Sequence, residues 1–151
     1  MIKNIVLDYS IKPHNLHTHF NSILYDKIKE KYINKCVNAG YIINVNKIKE
    51  IIHNKIIDGN IIVKMLCECD IYKPKTDDVI NCKVNMIHIN GIFVNKYNIK
   101  ILIPNISNKF NIQNNVCKYG NKIINIGDNI DVVIKQIRFE NFNFTCIGNI
   151  V

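Results

Sequence analysis

The sequence has no tryptophan, one arginine and three prolines, and it holds no apolar run near the ~20 residues that a membrane-spanning helix needs. Polar residues follow soon after the first short apolar stretch, without a small-residue cleavage site, so we expect neither a secretory signal nor a membrane partner. Motifs of common enzyme families, such as G-x-G-x-x-G, G-x-S-x-G and H-E-x-x-H, are also missing. The sequence therefore indicates a soluble protein and gives no sign of a catalytic centre or a cofactor.

Isoleucine, asparagine and lysine dominate the composition, with 33, 25 and 19 copies. Their codons are A/T-rich, so we attribute the skew to an A/T-rich genome and treat isoleucine runs as weak indicators of strands. The formal charge of +8 at pH 7 still attracts polyanions. Residues 79–151 carry eight basic against three acidic residues, so the second half is the better candidate for binding nucleic acid.

Six cysteines in a chain of this size without an export signal are expected to be reduced and mostly buried. Cys67 and Cys69 fall on one face of a predicted strand, as core residues do. A metal site would need two further ligands, and the nearest histidines, His14, His17 and His19, do not have zinc-finger spacing. We therefore predict neither a disulfide nor a metal site.

The first half combines strands with one amphipathic helix. A strand is predicted over 2–11, before Pro13. An apolar stripe at helical spacing then predicts a helix, with core residues Leu16, Phe20, Ile23, Leu24, Ile28 and Tyr32. A second strand fits 36–45, with Gly40 capping the helix or permitting a bulge. Residues 48–57 suit helix or strand equally, 58–60 form a turn, and 61–72 predict a long strand.

The polar, proline-containing segment 73–78 separates two domains, which we place at 1–78 and 79–151. Strands are predicted over five segments of the second domain: 79–89, 92–95, 99–103, 130–139 and 142–150. A long polar excursion separates the third from the fourth. This outline is that of a small closed barrel of the OB type, so the predicted class is α+β.

Short motifs in a fixed order resemble the stalk subunit of multisubunit DNA-directed RNA polymerases, known as the seventh subunit of eukaryotic RNA polymerase II, with archaeal and large-DNA-virus counterparts. The motifs are Ile11-Lys12-Pro13-His14, Gly40-Tyr41-Ile42-Ile43, Ile71-Tyr72-Lys73-Pro74, Gly91-Ile92-Phe93-Val94, Gly127-Asp128-Asn129-Ile130 and Ile147-Gly148-Asn149-Ile150. The chain departs from the family at Asp77-Asp78, where Gly-Glu is usual, and at the hairpin tip, where Gly59 is the only glycine left.

The resemblance implies a non-catalytic subunit. Its N-terminal part would be a truncated ribonucleoprotein-like domain that docks on the polymerase core near the clamp. The OB barrel would meet nascent single-stranded RNA, and a small partner stalk subunit could bind alongside. The A/T-rich composition favours a viral member, located in the host cytoplasm, at the viral factory, and in the virion; a cellular member would be nuclear.

Candidate site residues follow from this hypothesis. Part of the isoleucine-rich segment 48–63 should be exposed for docking, with Ile56, Ile57 and Gly59 at its tip. On the barrel, aromatic platforms and cations are expected to bind RNA through Phe93, Lys96, Tyr97, Lys100, Lys135, Arg138 and Phe139. Alternation leaves open whether Phe93 points into the barrel. A second RNA path would use Lys109, Lys118 and Lys122.

Two other functions remain open at this point. A free-standing OB-fold RNA-binding protein, similar to a translation-factor module, would explain the second domain but not the first. A small nuclease or metal-dependent hydrolase would need His14, His17 and His19 together with Asp77-Asp78.

Overall fold

A computed structural model describes residues 1–13, 20–106 and 109–151. It divides the chain into two compact units, Met1–Lys73 and Pro74–Val151. The described residues form twelve strands and one helix, so the fold is mostly β and matches the predicted α+β class only in part. No helix among them is long and apolar enough to span a membrane.

The first unit is a four-stranded antiparallel sheet with one helix on its face. Strands β1 (Ile2–Ile11), β2 (Cys36–Val37), β3 (Gly40–Ile57) and β4 (Asn60–Tyr72) lie in the order β1-β4-β3-β2. Helix α1 (Phe20–Tyr32) buries Leu24 and Ile28 against the sheet. Alternation along β1 and β4 supplies the facing residues, among them Leu7, Met65 and Cys67. The predicted β1, the helix from residue 20 and the long β4 are confirmed; Leu16 lies outside the described residues.

The predicted single strand 36–45 is wrong, because the chain turns back between β2 and β3. Asn34, with φ of 65°, follows the helix in the left-handed conformation that commonly ends helices, and its side-chain oxygen accepts a hydrogen bond from the Tyr41 hydroxyl at 2.8 Å. Gly40 is therefore not the cap. A Cβ at Gly40, whose φ is 142°, would lie 2.8 Å from the Tyr72 carbonyl oxygen, so glycine lets β3 approach the end of β4.

Strand β3 explains why residues 48–57 suited helix and strand equally. Its pairing with β4 shifts register four times, after apolar residues spaced three apart: Ile42, Val45, Ile48 and Ile51. Each bulge inserts one residue, so three residues of β3 oppose two of β4. The apolar period becomes three instead of the two of a regular strand, and the segment is a strand throughout.

The second unit is built around a closed five-stranded barrel, as predicted. Strands β5 (Val79–His88), β6 (Gly91–Lys96), β7 (Ile99–Pro104), β11 (Asn129–Glu140) and β12 (Asn143–Ile150) close in the order β11-β12-β7-β6-β5. Only the β7–β12 pair is parallel. The polar excursion holds a separate three-stranded sheet that the sequence did not indicate: β8 (Phe110–Gln113), β9 (Val116–Tyr119) and β10 (Lys122–Asn125).

All six cysteines are buried free thiols, as expected. Cys67 and Cys69 have no exposed surface under the helix. Burial raises the pKa of the Cys67 thiol to about 12 and that of the Cys69 thiol to about 11, because a thiolate is poorly solvated in an apolar core.

We expect the first unit to lose stability at alkaline pH. Between pH 9 and 11 these thiols ionise in the unfolded chain but not in the folded one, so the stabilisation present below pH 9 declines as pH rises. From pH 8 to pH 10 the two thiols should together remove about 3 kcal/mol from the free energy of unfolding. Urea unfolding at both pH values measures the decline. The double variant Cys67→Ala, Cys69→Ala should show a smaller decline in the free energy of unfolding. An equal decline would show that these two thiols do not cause the loss of stability.

Candidate nucleic-acid interface

The outer wall of the barrel carries the predicted strand residues in an ordered arrangement. On β6, Ile92 and Val94 are buried inside, so Phe93 between them points outward and is half-buried. Its register partner on β7 is Leu102, on the same wall. The alternation thus settles the orientation of Phe93, which does not fill the barrel interior.

Register extends this pair into an apolar row across four strands. In strand order, the apolar row consists of Met86, Phe93, Leu102 and Ile147. Met86 and Ile147 are 46% and 39% exposed, so both leave part of their apolar surface in contact with solvent. The row gives the wall a continuous apolar strip with one aromatic ring.

A basic row runs parallel to the apolar row, two residues nearer the β6–β7 turn. Its members across five strands are Lys83, Asn95, Lys100, Thr145 and Arg138. Two residues along a strand span roughly 7 Å. Bases could therefore stack on the apolar row while phosphates follow the basic row, the combination that single-strand binding proteins use.

Arg138 has a carboxylate neighbour on the same strand. Its guanidinium lies 2.8 Å from a Glu140 carboxylate oxygen, with side-chain exposures of 73% and 57%. Such exposed ion pairs contribute about 0–1 kcal/mol to stability. A phosphate can therefore replace the Glu140 carboxylate beside the Arg138 guanidinium with little loss of free energy.

Two of the predicted residues are not brought to this wall. Lys135 is the extra residue of a bulge in β11, and its ammonium lies 3.3 Å from an Asp77 carboxylate oxygen. Phe139 faces the barrel interior opposite the buried Phe144, with ring centroids 4.7 Å apart. Lys135 thus lies beside Asp77, and Phe139 is half-buried against Phe144, because the bulge shifts the alternation on β11.

Lys96 and Tyr97 lie at the β6–β7 turn, beside the basic row. The Lys96 ammonium is 5.3 Å from the centroid of the Tyr97 ring, a cation–π contact. Tyr97 is 43% exposed and has a φ of 54°. This places a cation and an aromatic ring at the end of the barrel nearest to Lys100.

The positions of the basic residues on the barrel wall, and not the net charge of the second unit, distinguish this surface. At the observed boundary, residues 74–151 carry nine basic against five acidic residues, and residues 1–73 carry eleven against seven. Both units are therefore +4. Sequence reasoning missed Lys83, Met86 and Ile147, because only the register shows that they adjoin Phe93 and Lys100.

The alternative lysines lie on the three-stranded sheet of the excursion or just before it. Lys118 shares the outward face with Ile123, its register partner on β10. Lys122 lines a cleft that also contains Asp128 and Asp131. Nearby carboxylates repel phosphate, so this path is the weaker candidate for RNA.

The hairpin tip, residues 51–60, shows the exposure that was predicted for its segment. Ile56 and Ile57 are 76% and 41% exposed, and Ile51 and Ile52 are also exposed. Gly59 completes the turn with a φ of 78°, a conformation natural for glycine, and a Cβ there would meet nothing within 4 Å. The hairpin tip thus exposes four isoleucines, and its turn leaves open space where a side chain at Gly59 would lie.

The histidines of the hydrolase hypothesis, at 14, 17 and 19, lie outside the described residues. Asp78 accepts a hydrogen bond from the Lys75 amide at 3.1 Å, and Asp77 lies beside Lys135. In the ranges that the structure covers, no three histidine, cysteine or acidic side chains are close enough to hold a metal ion.

Comparison with known proteins concerns the first unit. Residues 10–60 match the model of the SHS2 domain found in the N terminus of Rpb7p/Rpc25p/MJ0397. The match runs from the end of β1 through α1 to the hairpin tip, and so includes Ile56, Ile57 and Gly59. No curated protein matches the chain. About a third of this sequence, containing the helix and the hairpin, is thus similar to the SHS2 domain of Rpb7- and Rpc25-like stalk subunits.

Proposed function

We propose that this chain is a non-catalytic stalk subunit of a DNA-directed RNA polymerase. It docks on the core enzyme near the clamp through the hairpin tip and contacts nascent single-stranded RNA through the barrel. The observation that carries the proposal is the SHS2 match over residues 10–60. A small partner stalk subunit, a viral origin and the corresponding compartments remain predictions.

The hairpin tip is suited to docking because it exposes apolar side chains to solvent. Four exposed isoleucines lie within seven residues: Ile51, Ile52, Ile56 and Ile57. Fully burying one such side chain stabilises a complex by about 1.5–3 kcal/mol. Leaving all four in water disfavours the free chain, so a partner surface is expected to cover them.

We infer that the barrel is of the OB type. Numbered within the barrel, its strands follow the order 1-2-3-5-4, with strand 1 closing on strand 4 and strands 3 and 5 parallel. In OB folds, the face of strands 2 and 3 binds nucleic acid. Those strands are β6 and β7, which carry Phe93 and Lys100.

Purification of the tagged chain from its native source tests the proposal. A stalk subunit retains the large polymerase chains through washing at moderate salt, whereas a free-standing RNA-binding barrel elutes alone. Elution without polymerase chains from actively transcribing cells would contradict the proposal. The free-standing alternative is not favoured, because it leaves the SHS2-like unit without a role.

A further inference from the structure

Strand β1 is an edge of the sheet in the first unit, and half of its backbone hydrogen-bonding groups face away from that sheet. In the order β1-β4-β3-β2, β1 pairs with β4 on one side. The Met1 carbonyl accepts a hydrogen bond from the Ile71 amide at 2.8 Å, so the odd-numbered residues of this segment bond to β4. Bonded and non-bonded pairs alternate in an antiparallel ladder. The even-numbered residues of β1 therefore turn their N–H and C=O groups toward the open edge.

The end of helix α1 blocks this edge at Asp8. The Asp8 amide donates to the Tyr32 hydroxyl at 3.4 Å. The Asp8 carbonyl accepts from the Tyr32 hydroxyl at 2.8 Å and from the Lys31 ammonium at 3.2 Å. Proteins commonly block a strand edge in this way, because its free groups are a template for pairing with another chain. The block separates Ser10 from the N-terminal half of β1.

The N-terminal half of β1 stays open. Its outward-facing residues are Ile2, Asn4 and Val6, and no group of the described residues hydrogen-bonds to their outward N–H and C=O. Ile2 and Val6 are 66% and 55% exposed, and Asn4 is also exposed. Their side chains lie on the sheet face opposite α1, since Ile5 and Leu7 pack into the core with the helix. The open segment thus combines free backbone groups with two exposed apolar side chains.

We propose that two copies of this chain pair through the open halves of β1 and form a symmetric antiparallel dimer. The open segment is symmetric about Asn4, with an apolar residue two positions away on either side. When Asn4 lies opposite Asn4 of the second copy, Ile2 of each copy lies opposite Val6 of the other. The three outward-facing residues then form hydrogen-bonded pairs, and the two four-stranded sheets become one.

Neighbouring registers are less favourable. A shift of two residues toward the helix would place Ile2 opposite Asp8, whose backbone groups are already bonded to Tyr32 and Lys31. The opposite shift would place Ile2 against Asn4 and remove both apolar contacts. The block at Asp8 and the apolar pattern therefore select the register centred on Asn4.

The side chains in this register are complementary to themselves. Leu66, the register partner of Val6 on β4, extends the contact between Val6 and Ile2 of the second copy. On the helix side, Lys3 lies opposite Ile5, so the pairing sets no like charges directly opposite each other, an arrangement that would destabilise it. The contact is at the small end of specific interfaces, so we expect a dissociation constant in the micromolar range. The dimer is a form of the free chain and depends neither on polymerase docking nor on RNA.

Thiol cross-linking tests the register. The six native thiols are buried, so a cysteine added at an exposed position reacts first. Asn4→Cys places the two new thiols directly opposite each other, with Cα atoms ~5.5 Å apart, and a short bifunctional thiol reagent should join the copies. In the matched control Val6→Cys the two positions are roughly 13 Å apart along the strands, so joining should be at least about tenfold slower. Equal rates, or no joining with Asn4→Cys, would overturn the proposed pairing.

Two proline variants test the edge by sedimentation equilibrium. Asn4→Pro removes an outward N–H, a change that edge strands tolerate, so this variant should fold by circular dichroism and stay monomeric where the wild type dimerises. Ser10→Pro makes the same change beyond the block at Asp8 and should leave the dimer intact. Loss of the dimer in both variants or in neither would contradict the pairing. If Asn4→Pro does not fold, the cross-linking rates decide.

Salt dependence separates this dimer from association bridged by RNA. Each copy carries a formal charge of +8, so added salt should screen the repulsion and strengthen the dimer. An RNA bridge would weaken instead. A wild type that stays monomeric throughout the micromolar range, or whose self-association is lost on nuclease treatment, would overturn the dimer and leave the proposed stalk function untouched. Joining of Asn4→Cys only to a different protein would likewise overturn it.

Discussion

Replacing Ile56 and Ile57 together with aspartate is expected to abolish co-purification of the polymerase core. Both side chains are exposed in the free chain, so the variant should fold and melt like the wild type. Docking would lose the burial of the exposed parts of two isoleucines, about 2–3.5 kcal/mol, and would force two carboxylates out of water. Affinity for the core should therefore fall by more than about 100-fold.

The control is Val6→Asp, an equally apolar-to-charged change on β1 of the same sheet, at a residue that is 55% exposed. It should leave co-purification intact. Retention of the polymerase chains by the Ile56, Ile57 double variant, with normal folding, would show that the hairpin tip is not the docking surface.

The second large effect is expected on the salt dependence of RNA binding. With about three to five phosphate contacts, single-strand binding by the wild type should weaken with a log–log salt slope of roughly −2 to −3.5. Replacing Lys96, Lys100 and Arg138 together with alanine should bring the slope about 2 units closer to zero, since each lost contact contributes about 0.7. Base sequence should have little influence, because stacking and phosphate contacts discriminate weakly.

The matched triple variant carries alanine at Lys109, Lys118 and Lys122 and should keep the wild-type slope. Titrations at several salt concentrations measure both variants. The reverse pattern, an unchanged slope in the first variant and a flattened one in the second, would move the RNA path to the three-stranded sheet.

Local patterns in the sequence were sufficient to predict strands and turns wherever the strand pairing is regular. Odd-numbered apolar residues identified β4, and Asp58-Gly59 identified the hairpin turn. Strand β3 remained ambiguous because its four bulges change the apolar period from two to three. The bulge at Lys135 likewise left that residue without a register partner on β12 and turned Phe139 inward. Alternation within a strand shows neither where such residues are inserted nor which strands are neighbours.

The candidate site could be predicted only in part for the same reason. Phe93, Tyr97 and Lys100 were found because they are close in sequence around one turn. Lys83 and Ile147 join them through register across β5 and β12.

A cryo-electron microscopy structure of the transcribing complex, isolated through a tag on this chain, tests the central claim most directly. The account predicts density for the hairpin tip buried in the polymerase core near the clamp, with Ile56 and Ile57 covered. It also predicts that the basic row faces the RNA that leaves the enzyme. A complex in which the hairpin tip is open to solvent, or in which the opposite wall of the barrel faces the RNA, would contradict it.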